Sequence, residues 1–354
     1  MTLVYDPRKF DIFIGIDAHK TSFYFAIFDK NDIVCSKKIP SDPENLMNYL
    51  RKNFPKQKAI CAYEAGPTGF SLHDALTSNR IPCLVVPPTS IAQKPNEKTK
   101  NDRLDATKLA KMLKNGELHS VHVPVGPYRQ LRSIIKSYEL YSHSRVDTKR
   151  RIKSLLLSAG LPVPDDTVKP NWTNPYLQYL KTVPCQPYIR ERLDLLLKDM
   201  TYARQQILAT IQQINQCLDG HPLLSRQVQH LRSIRGIGLI TAACLLGRMG
   251  DPKELQNCRK LGAFTGIVPS EHSSGQKISQ GSITRIGDPF LRSLLVEASW
   301  KAIKNNVPLR KFFDRIAAKH HRNFAKRKAI VAVARKLTLY IYAVLKQDRP
   351  FMAY

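Results

Sequence analysis

The chain has 354 residues and carries 56 Lys+Arg against 28 Asp+Glu, a formal net charge of +28 at pH 7. So basic a balance excludes a protein indifferent to polyanions; nucleic acid is the first partner it implies and an anionic membrane surface the second. Hydrophobic residues at 43% exclude a disordered chain, and scattered cysteines with no CxxC pair exclude the usual structural zinc site and fit a reducing cytosol. The basic residues are spread along the chain, which favours several contact surfaces over one basic arm. Asp6, Arg8, Lys9 and Asp11 stand where a signal peptide needs an apolar run. Arg335 and Lys336 cut the longest apolar stretch near the C-terminus, so no membrane span is expected.

In chain order, "DIFIGID" (11–17), "SFYFAIFD" (22–29) and "DIVCSKKI" (32–39) read as three strands with short links, an antiparallel meander. A helix follows at 43–53, opened by Pro43. "KAICAYEA" (58–65) is a buried strand that ends at "GPTG". A helix at 69–79, a strand at 82–88 and a helix at 102–114, stopped by Asn115-Gly116, complete the region. The order β-β-β-α-β-α-β-α predicts an RNase-H-like mixed sheet.

The middle of the chain reads as all-helical. A helix is predicted at about 128–159. From Leu193 a 4-3 spacing runs through Leu197, Met200, Arg204, Ile207, Ile211, Ile214 and Leu218, broken only by the arginine. That pattern predicts a coiled coil or a long helical hairpin. The charge run "DTKRRIK" (147–153) is either a solvated helix face or a nucleic-acid contact. Further on, "LRSIRGIGLITAACLLGRMGD" (231–251) has the helix, Gly-Ile-Gly, helix pattern of a helix-hairpin-helix, whose glycines let backbone amides approach a phosphate. An ordinary turn between two helices is the competing account. A Gly- and Ser-rich segment, 269–289, is too long for mere connection. The last helical stretch, with "KHHRNFAKRKAIVAVARK" (319–336), is basic on one side and apolar on the other.

Four acids stand out against this basic background. Asp102 and Asp105 are one helical turn apart, in "TKNDRLDATK". Alone, the pair is satisfied by the dipole at a helix N-terminus. Asp17 ends an apolar strand, where a bare charge is costly. Glu64 ends another, just before the chain turns at Gly66 and Pro67. Together the four acids have the donor chemistry for two Mg2+ ions, which clamp the attacking and leaving oxygens of a phosphoryl transfer. His19, two residues past Asp17, is expected as a turn or supporting residue outside the site.

The blocks "GIDAHK", "YEAGPTG" and "NDRLDATKLA", followed by "IRGIGLITAACLL", "LGAFTGIVPSEHSSGQ" and "GSITRIGDPFLRSLLVEASW", resemble the bridge-RNA-guided insertion-sequence transposases, the insertion sequence 110/1111 family of DEDD transposases. The resemblance spans nearly the whole chain, with the blocks in order. It implies an α/β RNase H/RuvC-like domain over 1–125, an α-helical coiled-coil connector with dimerisation over 126–225, and a mostly α C-terminal transposase domain over 226–354. It implies that Asp17, Glu64, Asp102 and Asp105 are catalytic and bind Mg2+, with Mn2+ able to substitute. It further implies that Ser274, in the Ser-Gly pair after the "VP" turn, is a nucleophile forming a phosphoserine link to DNA. The sequence itself does not choose Ser274 over Ser270, Ser273, Ser279 or Ser282, and the adjoining Ser273 is the obvious competitor; in the implied chemistry His272 or Lys277 assists proton transfer. The implied partners are donor and target DNA, a structured guide RNA, and further copies of the chain as a dimer or tetramer. In that assembly acids and serine come from different protomers, and the site of action is the bacterial cytosol. Gln276 and Ser282 stand where many relatives repeat glycine, and the end, "KQDRPFMAY", is short for an added C-terminal arm. A RuvC-like junction resolvase using the acids alone, and a non-catalytic nucleic-acid scaffold, are the competing functions.

Overall fold

The computed structural model describes residues 5–88, 91, 101–162, 172–255, 257–271, 280–319 and 322–352. The chain divides into two units, Met1–Val123 and Pro124–Tyr354.

In the first unit, the apolar run "IFIGIDA" forms β1 (Ile12–Ala18), whose first five residues are all buried. A strand covered on both faces requires such a run. β2 (Ser22–Phe28) and β3 (Ile33–Pro40) follow as an antiparallel meander. α1 (Pro43–Asn53) is started by Asp42, whose side chain accepts from the Glu44 amide, and by Pro43. β4 (Ala59–Glu64) lies parallel to β1 on its free side. α2 (Ser71–Ser78) leads to β5 (Cys83–Val86), parallel to β4, and the sheet order is β3-β2-β1-β4-β5. β5 is shorter than the expected 82–88 because prolines flank it, and proline cannot donate to the ladder. α3 (Asp102–Lys114) is capped by the Asn101 side chain. The element order is the one the sequence predicts, and the sheet is of mixed RNase-H-like type.

The two faces of the sheet have separate cores. Ile14, Ile16, Phe25, Leu46, Leu50 and Leu76 pack together on the α1/α2 face. Phe13, Ala26, Ala62, Ala106, Leu109 and Leu113 pack together on the α3 face.

The second unit is mostly helical. α4 (Gly126–Ser158), α5 (Asn174–Thr182) and α6 (Pro187–Asp219) come first, and α6 packs along α4. The seam of α6 differs from the expected one. Its buried residues are Leu193, Leu197, Ala203, Ile207, Thr210, Ile214, Cys217 and Leu218. Beyond Met200, Ala203 and Thr210 replace Arg204 and Ile211. A guanidinium resists burial, whereas small side chains let the helices approach. The Thr210 hydroxyl is satisfied by the carbonyls of Gln206 and Ile207, at 3.0 and 2.8 Å. The seam is therefore covered by α4 of the same chain.

α7 (Pro222–Arg232) and α8 (Leu239–Met249) flank the Gly-Ile-Gly turn, and α9 (Cys258–Thr265) follows. The Ser-rich segment contributes a two-stranded antiparallel ribbon, β6 (Pro269–Glu271) and β7 (Gln280–Ile283), absent from its reading as a plain loop. α10 (Pro289–Asn305), α11 (Val307–Ala317) and α12 (Arg322–Gln347) complete the unit. Among the described residues no helix is long and apolar enough to cross a membrane.

Candidate metal centre

Strand pleating places the acids. Side chains two apart share a face of a sheet. Phe13 belongs to the core under α3, so Gly15 and Asp17 lie on that face too. Ile60 and Ala62 belong to the same core, so Glu64 follows them. In the parallel pair Ile16 is level with Tyr63. Asp17 and Glu64 are therefore next to each other at the C-terminal ends of adjacent strands, on the side covered by α3. The Tyr63 hydroxyl donates to the Gly69 carbonyl at 2.8 Å and pins the turn that follows Glu64.

Gly15 brings α3 to this end. A Cβ at Gly15 would lie 2.2 Å from the Ala106 carbonyl oxygen, 2.3 Å from the Ala110 amide nitrogen and 2.9 Å from the Leu109 Cβ. The helix backbone rests directly on the strand. Its first turn, with Asp102 and Asp105, then reaches the strand end that carries Asp17.

The site centres on three side chains. His19 Nε2 is 3.1 Å from Asp17 Oδ2 and 3.5 Å from Asp102 Oδ1. One donor atom from each of Asp17, His19 and Asp102 lies within 4.8 Å of the others. Burial pushes the Asp17 carboxyl above its ordinary range; His19 opposes the rise, while the carboxylates of Asp102 and Asp105 add to it. Asp105 is thus felt at Asp17, though it lies outside the close trio. Glu64 is exposed and also outside the trio. His19, set aside in the sequence reading, is a member of the trio, and Gly15 was not singled out at all. A lone glycine inside an apolar strand was the available signal for the second. A partly desolvated Asp17 carboxylate, with the Asp102 carboxylate and an imidazole beside it, forms a donor set that a divalent cation satisfies. The residues present fit such an ion.

In the second unit, Ser274, with Ser273, Ser279, His272 and Lys277, lies outside the described residues. Ser270 stands in β6 and Ser282 in β7. Gly236 has φ +98°, and a Cβ there would lie 2.4 Å from the Ala298 carbonyl oxygen. That glycine is required by the close approach of α10; of the two glycines of this turn, Gly238 is the one with nothing within 4 Å. A charged cluster holds the start of α10. Asp288 caps it through the Leu291 amide at 2.9 Å. Arg248 of α8 pairs with Asp288 at 3.3 Å and with Glu139 of α4. Arg132 donates to the Arg248 carbonyl at 3.2 Å.

Two family models match this chain. DEDD_Tnp_IS110, described as a transposase, covers residues 14–160. Transposase_20, described as the IS116/IS110/IS902 transposase family, covers residues 228–314. A putative transposase of Sinorhizobium fredii is 27% identical over 294 residues, 82% of this chain and 71% of the relative. The transposase for insertion sequence element IS1533 of Leptospira borgpetersenii is 24% identical over 299 residues, 83% of this chain and 86% of the relative. A pilin gene-inverting protein of Moraxella bovis is 35% identical over 141 residues, 39% of this chain and 43% of the relative.

Proposed function

Because the chain belongs to the IS110/IS116 family of insertion-sequence transposases, DNA-recombining enzymes, we propose that it is an RNA-guided recombinase that cuts and rejoins DNA through its acidic centre and a serine. Asp17, Glu64, Asp102 and Asp105 hold Mg2+ in this reading, with Mn2+ able to substitute, and Ser274 is the nucleophile. The observation that carries the reading is the convergence of Asp17 and Asp102 at one sheet end, with Glu64 on the same face of the adjacent strand.

Bound divalent ions would offset charge on the phosphoryl and leaving oxygens. The protein's own part is positional. His19 fixes the Asp17 carboxylate through their 3.1 Å contact. Gly15 holds α3, and with it Asp102, at the strand end. The Ser274 oxygen attacks phosphorus, its proton passing to His272, Lys277 or water. The bond from phosphorus to a deoxyribose oxygen breaks, and that oxygen takes a proton from water or from the group that accepted the serine proton and leaves as a hydroxyl. The new phosphoserine bond replaces the broken phosphodiester, so a strand hydroxyl reverses the step without an external energy source.

Donor and target DNA and a structured RNA are the partners in this reading, with base pairing supplying sequence choice and the protein gripping backbones. A net charge of +28 suits that load. The active unit is a dimer or tetramer in which acids and serine come from different protomers, with 126–225 as connector. Since α4 covers the inner seam of α6, contacts between copies would use its outward face, where Leu195 and Leu208 are exposed.

The test incubates the purified protein and its co-purified RNA with donor DNA and Mg2+, then resolves covalent protein–DNA species on a denaturing gel. Ser274→Ala should lose the adduct, and Asp102→Asn should lose both adduct and cleavage. Cleavage by the parent protein with no adduct would replace the serine mechanism with that of a resolvase. A parent protein that carries only bulk RNA, removable by salt, would count against guidance.

A further inference from the structure

At the end of the first unit's sheet away from the acids, a cavity of about 480 Å3 opens between the starts of β1, β4 and β5 and the ends of α1 and α2. This is within the range of roughly 300–1,000 Å3 typical of ligand sites. Its floor is apolar, with Ile12, Leu50 and Ile81, and Phe10 and Phe54, each packed in part against a core, are among the residues that line it. Its polar lining is Arg51, Gln57, Lys58, Asn79 and Arg80, with no acid among the lining residues; just outside it Glu44 stands 3.8 Å from Arg51 and Asp11 accepts from the Lys58 amide at 3.0 Å. The segment over it, "RKNFPKQK" (51–58), carries four bases and no acid. β1 runs from Ile12 in the cavity to Asp17 at the metal centre, about 17 Å along the strand. Whatever binds here is not the phosphate being cut.

Arg80 supplies an independent observation. α2 ends with the Ile81 amide donating to the Leu76 carbonyl at 2.9 Å and the Arg80 amide to the Thr77 carbonyl at 3.0 Å. That is a Schellman closure, and it puts Arg80 in the left-handed conformation, φ +61°, where glycine is the default. An arginine is thus kept, against its backbone preference, at a position that lines the cavity. Arg51 is fixed beside it by donating to Asn79 Oδ1 at 2.7 Å.

We propose that this cavity binds one unpaired nucleotide of a single-stranded nucleic-acid segment, base against the Phe10 and Phe54 rings and phosphate toward Arg51, Lys58 and Arg80. A duplex would not do, because its bases are already stacked and paired; aromatic walls with basic rims are how proteins hold splayed bases. The proposal rests on the reading of the protein as a nucleic-acid enzyme and assigns that partner a second site.

The test uses the full chain and measures binding, by fluorescence anisotropy, to a 12-nucleotide RNA (about that length, to span one site), the matching single-stranded DNA, and a blunt duplex. Two variants are compared with the parent. Arg80→Gly removes the charge and suits the left-handed backbone. Phe54→Leu keeps apolar volume and removes the ring. Each should weaken single-strand binding about tenfold and leave duplex binding unchanged. For Arg80→Gly the salt dependence of single-strand binding should flatten by about 0.7 in the log–log slope. A loss confined to RNA names RNA as the occupant, and one confined to DNA names DNA. Unchanged single-strand binding, or an equal loss for duplex, overturns the proposal. A parent protein that binds none of the three would instead overturn the nucleic-acid reading itself.

Discussion

Replacing Gly15 with alanine tests whether the candidate metal centre is built by helix-on-strand contact. The added methyl would sit 2.2 Å from the Ala106 carbonyl oxygen and 2.3 Å from the Ala110 amide nitrogen, whereas ordinary contact begins at 3.4 Å. Closing the larger gap, 3.4 minus 2.2, needs a shift of 1.2 Å. Both obstacles are backbone atoms of α3, so no side chain can rotate away; strand or helix must move. Overpacking of this kind costs about 1–3 kcal/mol. A displacement of about 1 Å at a reacting centre costs on the order of a hundredfold in rate. Gly15→Ala should therefore fold with a lowered Tm, lose most Mg2+-dependent DNA cleavage, and need more metal to recover any. Cleavage against metal concentration, with thermal unfolding of the same samples, measures both effects. A variant with parental Tm and parental metal dependence would show that α3 does not have to lie on β1 for the centre to work.

Three further changes test other parts of the structure. Asp17→Asn should abolish metal-dependent cleavage yet stabilise the metal-free protein at pH 7. The Asp17 carboxyl is raised above 3.8 in the fold, so its contribution to stability is fully present below 3.8 and is lost as pH rises through the folded value. The variant's advantage in denaturant melts should shrink toward pH 4, and a variant less stable than its parent at pH 7 would contradict the repulsion assigned to the site. Arg248→Ala leaves Glu139 and Asp288, both mostly buried, without their cation; it should destabilise the second unit by about 3–5 kcal/mol, and a Tm within a degree or so of the parent, against the several degrees such a loss implies, would show the cluster to be unimportant. Arg80→Gly relieves the left-handed backbone at φ +61° and should raise stability by about 1 kcal/mol, visible as a higher urea midpoint; a lower midpoint would mean that the arginine's contacts outweigh its strain.

The first unit was legible because its signals are local and agree with one another. Unbroken apolar runs mark strands buried on both faces. Pro43 with Asp42 before it starts α1, and Asn101 with acids in the first turn starts α3, so both helices fall where expected. The second unit was less legible where packing chooses between nearly equal registers. The spacing through Arg204 and Ile211 and the one through Ala203 and Thr210 differ by a single residue. Helix packing selects the small residues, and no one-dimensional pattern contains that choice. The β6–β7 ribbon was likewise invisible, since strands this short carry no periodicity.

The candidate site divides along the same line. A charge at the end of an apolar strand is visible in sequence, and so is an acidic pair one helical turn apart. Pleat parity adds that Asp17 follows Phe13 and Glu64 follows Ala62 onto one face. What sequence does not carry is the distance between the strand end and the helix start, and that distance depends on Gly15, a residue with no chemistry of its own. His19 is a related case. Two residues on from Asp17 it reads as part of a turn, yet its Nε2 lies between the carboxylates of β1 and α3. Its neighbour across that gap, Asp102, is 83 positions away by number and is brought close only because a glycine lets a helix lie on a strand. The acids name the chemistry, and the residue without a side chain decides whether they meet.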